Sequence, residues 1–75
     1  MFKNLQAELV RAGITNSEMA EMLGMSKVLF SQRINGHTSW TLREMIKIQE
    51  EINTKLGTEY SLDYLFSQRQ DERSW

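Results

Sequence analysis

The chain has no cysteine and no proline, only one histidine, and no strong charge of either sign. Without cysteine there is no disulfide framework and no thiolate metal site. A lone histidine, with no nucleophile and base at a useful spacing, leaves nothing to carry catalysis or hold a metal, so neither an enzyme nor a cofactor is expected. Long apolar runs are missing too. None approaches the roughly 20 residues that span a bilayer, and no signal-peptide pattern opens the sequence. A cytoplasmic protein without a membrane partner is therefore expected.

The absence of proline and of any alternating β-branched run points to an all-α fold of about five short helices. With 75 residues the chain has room for one small domain. Chains of this size bury only about 60% of their unfolded surface. They need economical helices, or a partner, to stay folded.

Nine basic side chains against ten acidic ones give a net charge of −1, which taken alone disfavours nucleic acid as a partner. The distribution says more than the sum. Residues 26–48 hold Lys27, Arg33, Arg43 and Lys47 against Glu44 alone, whereas from Gln49 onward acids outnumber bases. The middle of the chain is basic and its end is acidic.

Helix boundaries are written locally. Gly13, Gly24 and Gly36 each follow a helical pattern, where a left-handed closing residue is wanted. A first helix over residues 2–12 places Phe2, Leu5, Leu9 and Ala12 on one face. Thr15 caps the second helix, Glu18 completes a capping box, and Ile14 with Met19 forms the hydrophobic staple; Ala20 and Leu23 continue inward. Ser26 opens the third helix, with Met25 and Phe30 as staple and Ile34 one turn further. Thr41 and Glu44 repeat the capping box for the fourth helix, where Trp40 staples to Met45 and the inner face runs through Ile48 to Ile52. The pattern loosens at NTKLGTE. A short last helix capped by Ser61 carries Leu62, Leu65 and Phe66. Domain residues 1–66 are then followed by a polar tail, 67–75, whose one large apolar residue is Trp75.

The second and third helices, joined by a four-residue connection holding Gly24, are expected to form a helix-turn-helix. The segment ITNSEMAEMLGMSKVLFSQRINGHTSWTLREMIKI resembles that of lambda-type phage repressors, Cro proteins and the related Xre-type regulators. Matching features are Thr15 opening the second helix, Ala20 at its tightly packed position and Gly24 in the turn. Ser26, Phe30 and the closing Asn35-Gly36 match along the third helix. The run SWTLREMIKI is similar to the fourth helix of small regulators from phages of Gram-positive bacteria.

The resemblance implies a lambda-repressor-like domain that binds double-stranded DNA at a palindromic operator and represses by occupancy. Lys27, Val28, Leu29 and Gln32 would face base edges in the major groove. Lysine suits guanine O6 or N7, glutamine suits adenine, and the aliphatic pair suits thymine methyls. Asn16, Ser31, Arg33, Asn35, His37 and Thr38 would follow the phosphate track. This sequence departs from the family pattern by placing lysine and valine at the first two reading positions. Arg33 stands where an aliphatic residue often packs, so it either lies along its own stem or reaches a phosphate.

Each of these residues also has an ordinary reading. Lys27 and Gln32 suit any solvated helix surface, and Asn16 and Asn35 suit helix ends. Val28 and Leu29 could equally belong to the core or to a protein interface. His37 reads as a surface loop residue, Trp40 as a staple and the five methionines as core filling. A protein-interaction module of antirepressor or antitoxin type is thus the alternative. For a DNA-binding protein a homodimer is expected, weak or DNA-induced, formed by Leu62, Tyr64, Leu65, Phe66 and Trp75. On that expectation, Tyr64→Asp spares the fold.

Overall fold

A computed structural model describes residues 2–67. It is all-helical over that span, with α1 Lys3–Ala12, α2 Asn16–Leu23, α3 Lys27–Ile34, α4 Leu42–Leu56 and α5 Leu62–Leu65. No described helix is long and apolar enough to cross a membrane.

The start signals act as the spacing predicts. Thr15 Oγ1 accepts from the Glu18 N–H at 3.1 Å while Glu18 Oε1 accepts from the Thr15 N–H at 2.9 Å. The same reciprocal pair forms between Thr41 and Glu44, at 3.2 and 3.0 Å. Each box satisfies two backbone groups that the helix cannot satisfy itself. The N–H donated by Thr15, together with its hydroxyl, holds the Glu18 carboxyl below the usual carboxylate range. Ser26 and Ser61 cap α3 and α5 with single bonds of 3.1 Å.

The fourth helix is longer than its apolar pattern suggests. It continues past Ile52 to Leu56 and stops at Gly57, whose φ of 66° lets the Thr58 N–H reach back to the Asn53 carbonyl. The polar look of NTKLGTE has a cause. Asn53 Oδ1 accepts from the Tyr60 N–H at 2.9 Å and the Thr58 hydroxyl at 2.8 Å, and its Nδ2 donates to the Tyr60 carbonyl at 3.1 Å. Gln49 adds a second donor to that carbonyl, at 3.0 Å. Two polar side chains on α4 therefore fold the following loop back over the helix, and polarity there marks a docked loop instead of a helix end.

The core gathers one face of each helix: Leu5, Leu9 and Ala12 from α1, Met19 and Ala20 from α2, Phe30 and Ile34 from α3, Ile48 and Ile52 from α4, and Leu65 from α5. At one end four rings meet edge to face. Trp40 lies 5.6 Å from Phe30, 5.6 Å from Phe66 and 6.2 Å from Phe2, centroid to centroid. Such T-shaped contacts add to what area burial alone supplies.

One charged residue sits in this interior. Glu8, on the inner side of α1, is 1% exposed. Its Oε2 accepts from the Tyr64 hydroxyl at 2.7 Å. Arg11 Nε lies 3.0 Å from Oε1, close enough for an ion pair but without hydrogen-bond alignment. A buried carboxylate needs such partners to remain charged.

The same packing places the residues expected to form the dimer. Leu65 is fully buried, Phe66 packs on Phe2 and Trp40, Leu62 is half-buried, and the Tyr64 hydroxyl is committed to Glu8. These residues close the fold of a single chain, because α5 is too short to hold its place without them. Trp75 lies outside the described residues.

The Glu8 carboxylate also raises the pKa of Tyr64 above its ordinary 10.0, by accepting its proton in a hydrogen bond. Tyr60, whose ring lies tilted against that of Tyr64 with centroids 5.0 Å apart, is raised by the same carboxylate. The unfolded chain therefore releases these protons first as pH rises, and stability falls with pH from about 10 upward. We expect the urea midpoint to drop through that range, and to drop less in Tyr64→Phe. An equal alkaline loss in the two proteins would place its cause elsewhere.

Candidate functional site

The outer face of α3 carries most of the side chains that the resemblance assigns to base reading. Phe30 and Ile34 anchor the helix from within, both buried. Lys27, Val28, Ser31, Gln32 and Asn35 are exposed; Val28, Gln32 and Asn35 lie opposite the anchors, whereas Lys27 shares their line and is exposed because it opens the helix. Val28 is the conspicuous apolar member, at 68% exposed. Leu29 is half-buried on the flank, so it contributes an edge and not a full side chain.

The link from α2 to α3 holds this face in place. Gly24 has φ 71°, and the Met25 N–H returns to the Ala20 carbonyl at 3.0 Å, closing α2 and turning the chain sharply. Ser26 then restarts the helix at once. Since Ser26 Oγ takes only the Leu29 N–H, the N–H groups of Lys27 and Val28 remain pointed outward at the positive end of the α3 dipole.

At the other end of α3, Gly36 at φ 86° lets the His37 N–H donate to the Gln32 carbonyl at 2.8 Å. His37, Thr38 and Ser39 are exposed on the loop that follows. Asn35 Nδ2 lies 3.4 Å from Ser31 Oγ, a long contact that leaves both side chains usable by a ligand. Asn16, the first residue of α2, is exposed beside its capping threonine.

Arg33 is placed differently from the phosphate-contacting role expected of it. Its guanidinium is largely buried, pairs with Glu44 at 3.0 Å and donates to the Ser39 carbonyl. Arg33 thus ties the loop after α3 to the start of α4. Glu44 serves two ends at once, since the same Oε1 accepts from the Thr41 N–H. No local spacing announces this tie: the two residues sit on different helices, and only the path of the loop between α3 and α4 brings them together.

The pairing changes the electrostatics of the basic stretch. Arg33 is neutralised by Glu44, and Lys47 lies 3.4 Å from Glu51 one turn along α4. Among the described residues that leaves Lys27 and Arg43 as the cations of residues 26–48 without an ion pair. The sequence offers Arg43 and Lys47 alike as cations that could pair with a phosphate; which of them lacks an ion pair among the described residues is visible only when the neighbouring charges are placed. No cluster of three or more potential metal ligands occurs among the described residues.

The face so assembled offers hydrogen-bond donors and acceptors, one unpaired lysine, outward backbone N–H groups and one exposed valine. It has no deep enclosure, so it suits an extended surface better than a small molecule. The chain matches no protein-family model, no curated protein and no solved structure.

Proposed function

We propose that this chain is a sequence-specific regulator of transcription that binds double-stranded DNA in the cytoplasm, with α2 and α3 acting as a helix-turn-helix of the Cro type. The observation that carries the reading is the division of α3. Phe30 and Ile34 fasten it to the core while Lys27, Val28, Ser31 and Gln32 project outward together. An α-helix of this kind fits the major groove, where lysine reads guanine, glutamine reads adenine and valine meets a thymine methyl. Asn16, Asn35, His37 and Thr38 would then hold phosphates and set the register. Repression follows from occupancy of an operator, with two copies on a two-fold site giving the specificity that one short helix lacks.

Selection of bound sequences from random duplex DNA tests the reading directly. On the preferred site, Lys27→Ala and Gln32→Ala should each cost about 1–3 kcal/mol and relax one operator position. Equal weakening on preferred and random DNA would remove the base-reading role. The salt dependence should be shallow for a basic segment, because Arg33 and Lys47 are already paired. Arg43→Ala is expected to flatten the slope by about one unit if it meets a phosphate, and Lys47→Ala by less. Binding with no salt dependence at all would sink the proposal.

The exposed Val28 and the net charge of −1 favour a second reading, in which the same face receives a protein. Selection that enriches no DNA sequence would favour that one.

A further inference from the structure

We infer that α4 carries a self-association surface, on which a second copy of this chain packs antiparallel through Leu42 and Ile46, with Arg43 of each copy against Glu50 of the other. This goes beyond the DNA reading of α3 and does not depend on it.

The argument starts from exposure. Leu42 is 61% exposed and Ile46 39%. Single exposed aliphatics are ordinary, but these two stand one turn apart on one face, next to the half-buried Met45. Further along α4 the surface is occupied, because Gln49 and Asn53 hold the Tyr60 carbonyl. The apolar strip is therefore short, and a helix crossing it has to centre near Ile46.

Charge then selects the occupant. The N-terminal half of α4 carries Arg43 and Lys47, and the following turn carries Glu50 and Glu51. Lys47 and Glu51 neutralise one another within the chain. Arg43 and Glu50 form no ion pair among the described residues. They lie two turns apart, about 10 Å along the axis, too far to pair with each other on one helix. They share a flank of the Leu42–Ile46 strip, since residues seven apart fall on nearly the same line.

In an antiparallel two-fold pair, each flank meets the same flank of its partner. Arg43 then faces Glu50 twice, Ile46 meets its own copy near the axis, and Leu42 lies level with the turn of the partner that holds Glu50. A parallel copy would instead set Arg43 beside Arg43. The charge order along α4 is thus complementary to itself reversed, and a second copy is the partner it fits.

Sedimentation equilibrium of the intact chain without DNA tests this, and circular dichroism checks that each variant stays folded. The parent protein should self-associate. Ile46→Asp should raise the dissociation constant at least about tenfold, as loss of a central apolar anchor does. Arg43→Glu and Glu50→Arg should each weaken pairing, and the double reversal should restore it, because the contact is reciprocal. The native chain has no cysteine, so Ile46→Cys offers a second readout: mild oxidation should yield a covalent dimer, while Val10→Cys, at an exposed site on α1, should not. A parent that stays monomeric at millimolar concentration would overturn the proposal. So would a double reversal no better than the single ones, or equal cross-linking of the two cysteine variants. Arg43 enters both tests, so its effect on the salt dependence of DNA binding is separated from pairing by Ile46→Asp, which breaks the pair and keeps Arg43.

Discussion

Replacing Trp40 with alanine is expected to destabilise the domain by about 3–5 kcal/mol, a large part of the total stability of so small a protein. Trp40 is the ring that joins the others. It meets Phe30 of α3, Phe66 at the end of α5 and Phe2 just before α1. Removing it opens a cavity bordered by three elements, none of which can collapse inward without losing other core contacts. It also frees the loop carrying Thr38 and Ser39. Trp40→Phe should be far milder, at about 1 kcal/mol, because a ring remains and the indole Nε1, buried without a hydrogen-bond partner, is removed. Urea unfolding followed by circular dichroism measures both. Should Trp40→Ala unfold at the parent's midpoint, the ring cluster is not what closes this end of the core.

The second large effect is expected at Tyr64. Tyr64→Phe should cost about 1.5–3 kcal/mol, the usual loss for a hydrogen bond to a buried charge. The phenol ring stays, and at 37% exposure Tyr64 gains little from burial, so the loss falls on Glu8. Its Oε2 would be left in the core without the Tyr64 hydroxyl as donor. Removing both partners should be gentler than removing one. The double variant Glu8→Leu with Tyr64→Phe is expected to recover much of the stability, since an apolar pair asks for no hydrogen bond. A double-mutant cycle by urea unfolding checks the sign. Simple additivity of the two losses would show that the contact carries no coupling. Tyr64→Asp, harmless on sequence grounds, is now expected to unfold the chain, because it sets a second carboxylate beside Glu8 and removes the donor.

Much of this fold was legible before any coordinates. Thr15 with Glu18 and Thr41 with Glu44 act within a single turn, so spacing alone predicts their bonds, and both capping boxes form. Phe2, Leu5, Leu9 and Ala12 repeat at helical intervals and are all buried. Part of the outward set on α3 was legible for the same reason: once Phe30 and Ile34 point in, Val28 and Gln32 have to point out, whereas Lys27 shares the inner line and is exposed because it stands in the first turn. Where polarity and structure parted, at NTKLGTE, the sequence misled because Asn53 is polar in order to hold a loop.

Through-space pairing was not legible. Glu8 and Tyr64 are separated by 56 positions, and a glutamate at an inner helical position looks like an error until the phenol that satisfies it is in place. The sequence leaves Arg33 either half-buried along its stem or reaching a phosphate, and only the folding of the loop between α3 and α4 gives it Glu44 and the Ser39 carbonyl. The four-ring cluster draws on Phe2, Phe30, Trp40 and Phe66, from nearly the full described length. By itself the sequence determined where helices begin and which side of each is apolar, since backbone capping and helical periodicity act over a few residues. Tertiary structure alone decided which charges remain available to a partner, because neutralising a charge requires a second group within about 4 Å, and the chain brings such groups together only when it folds.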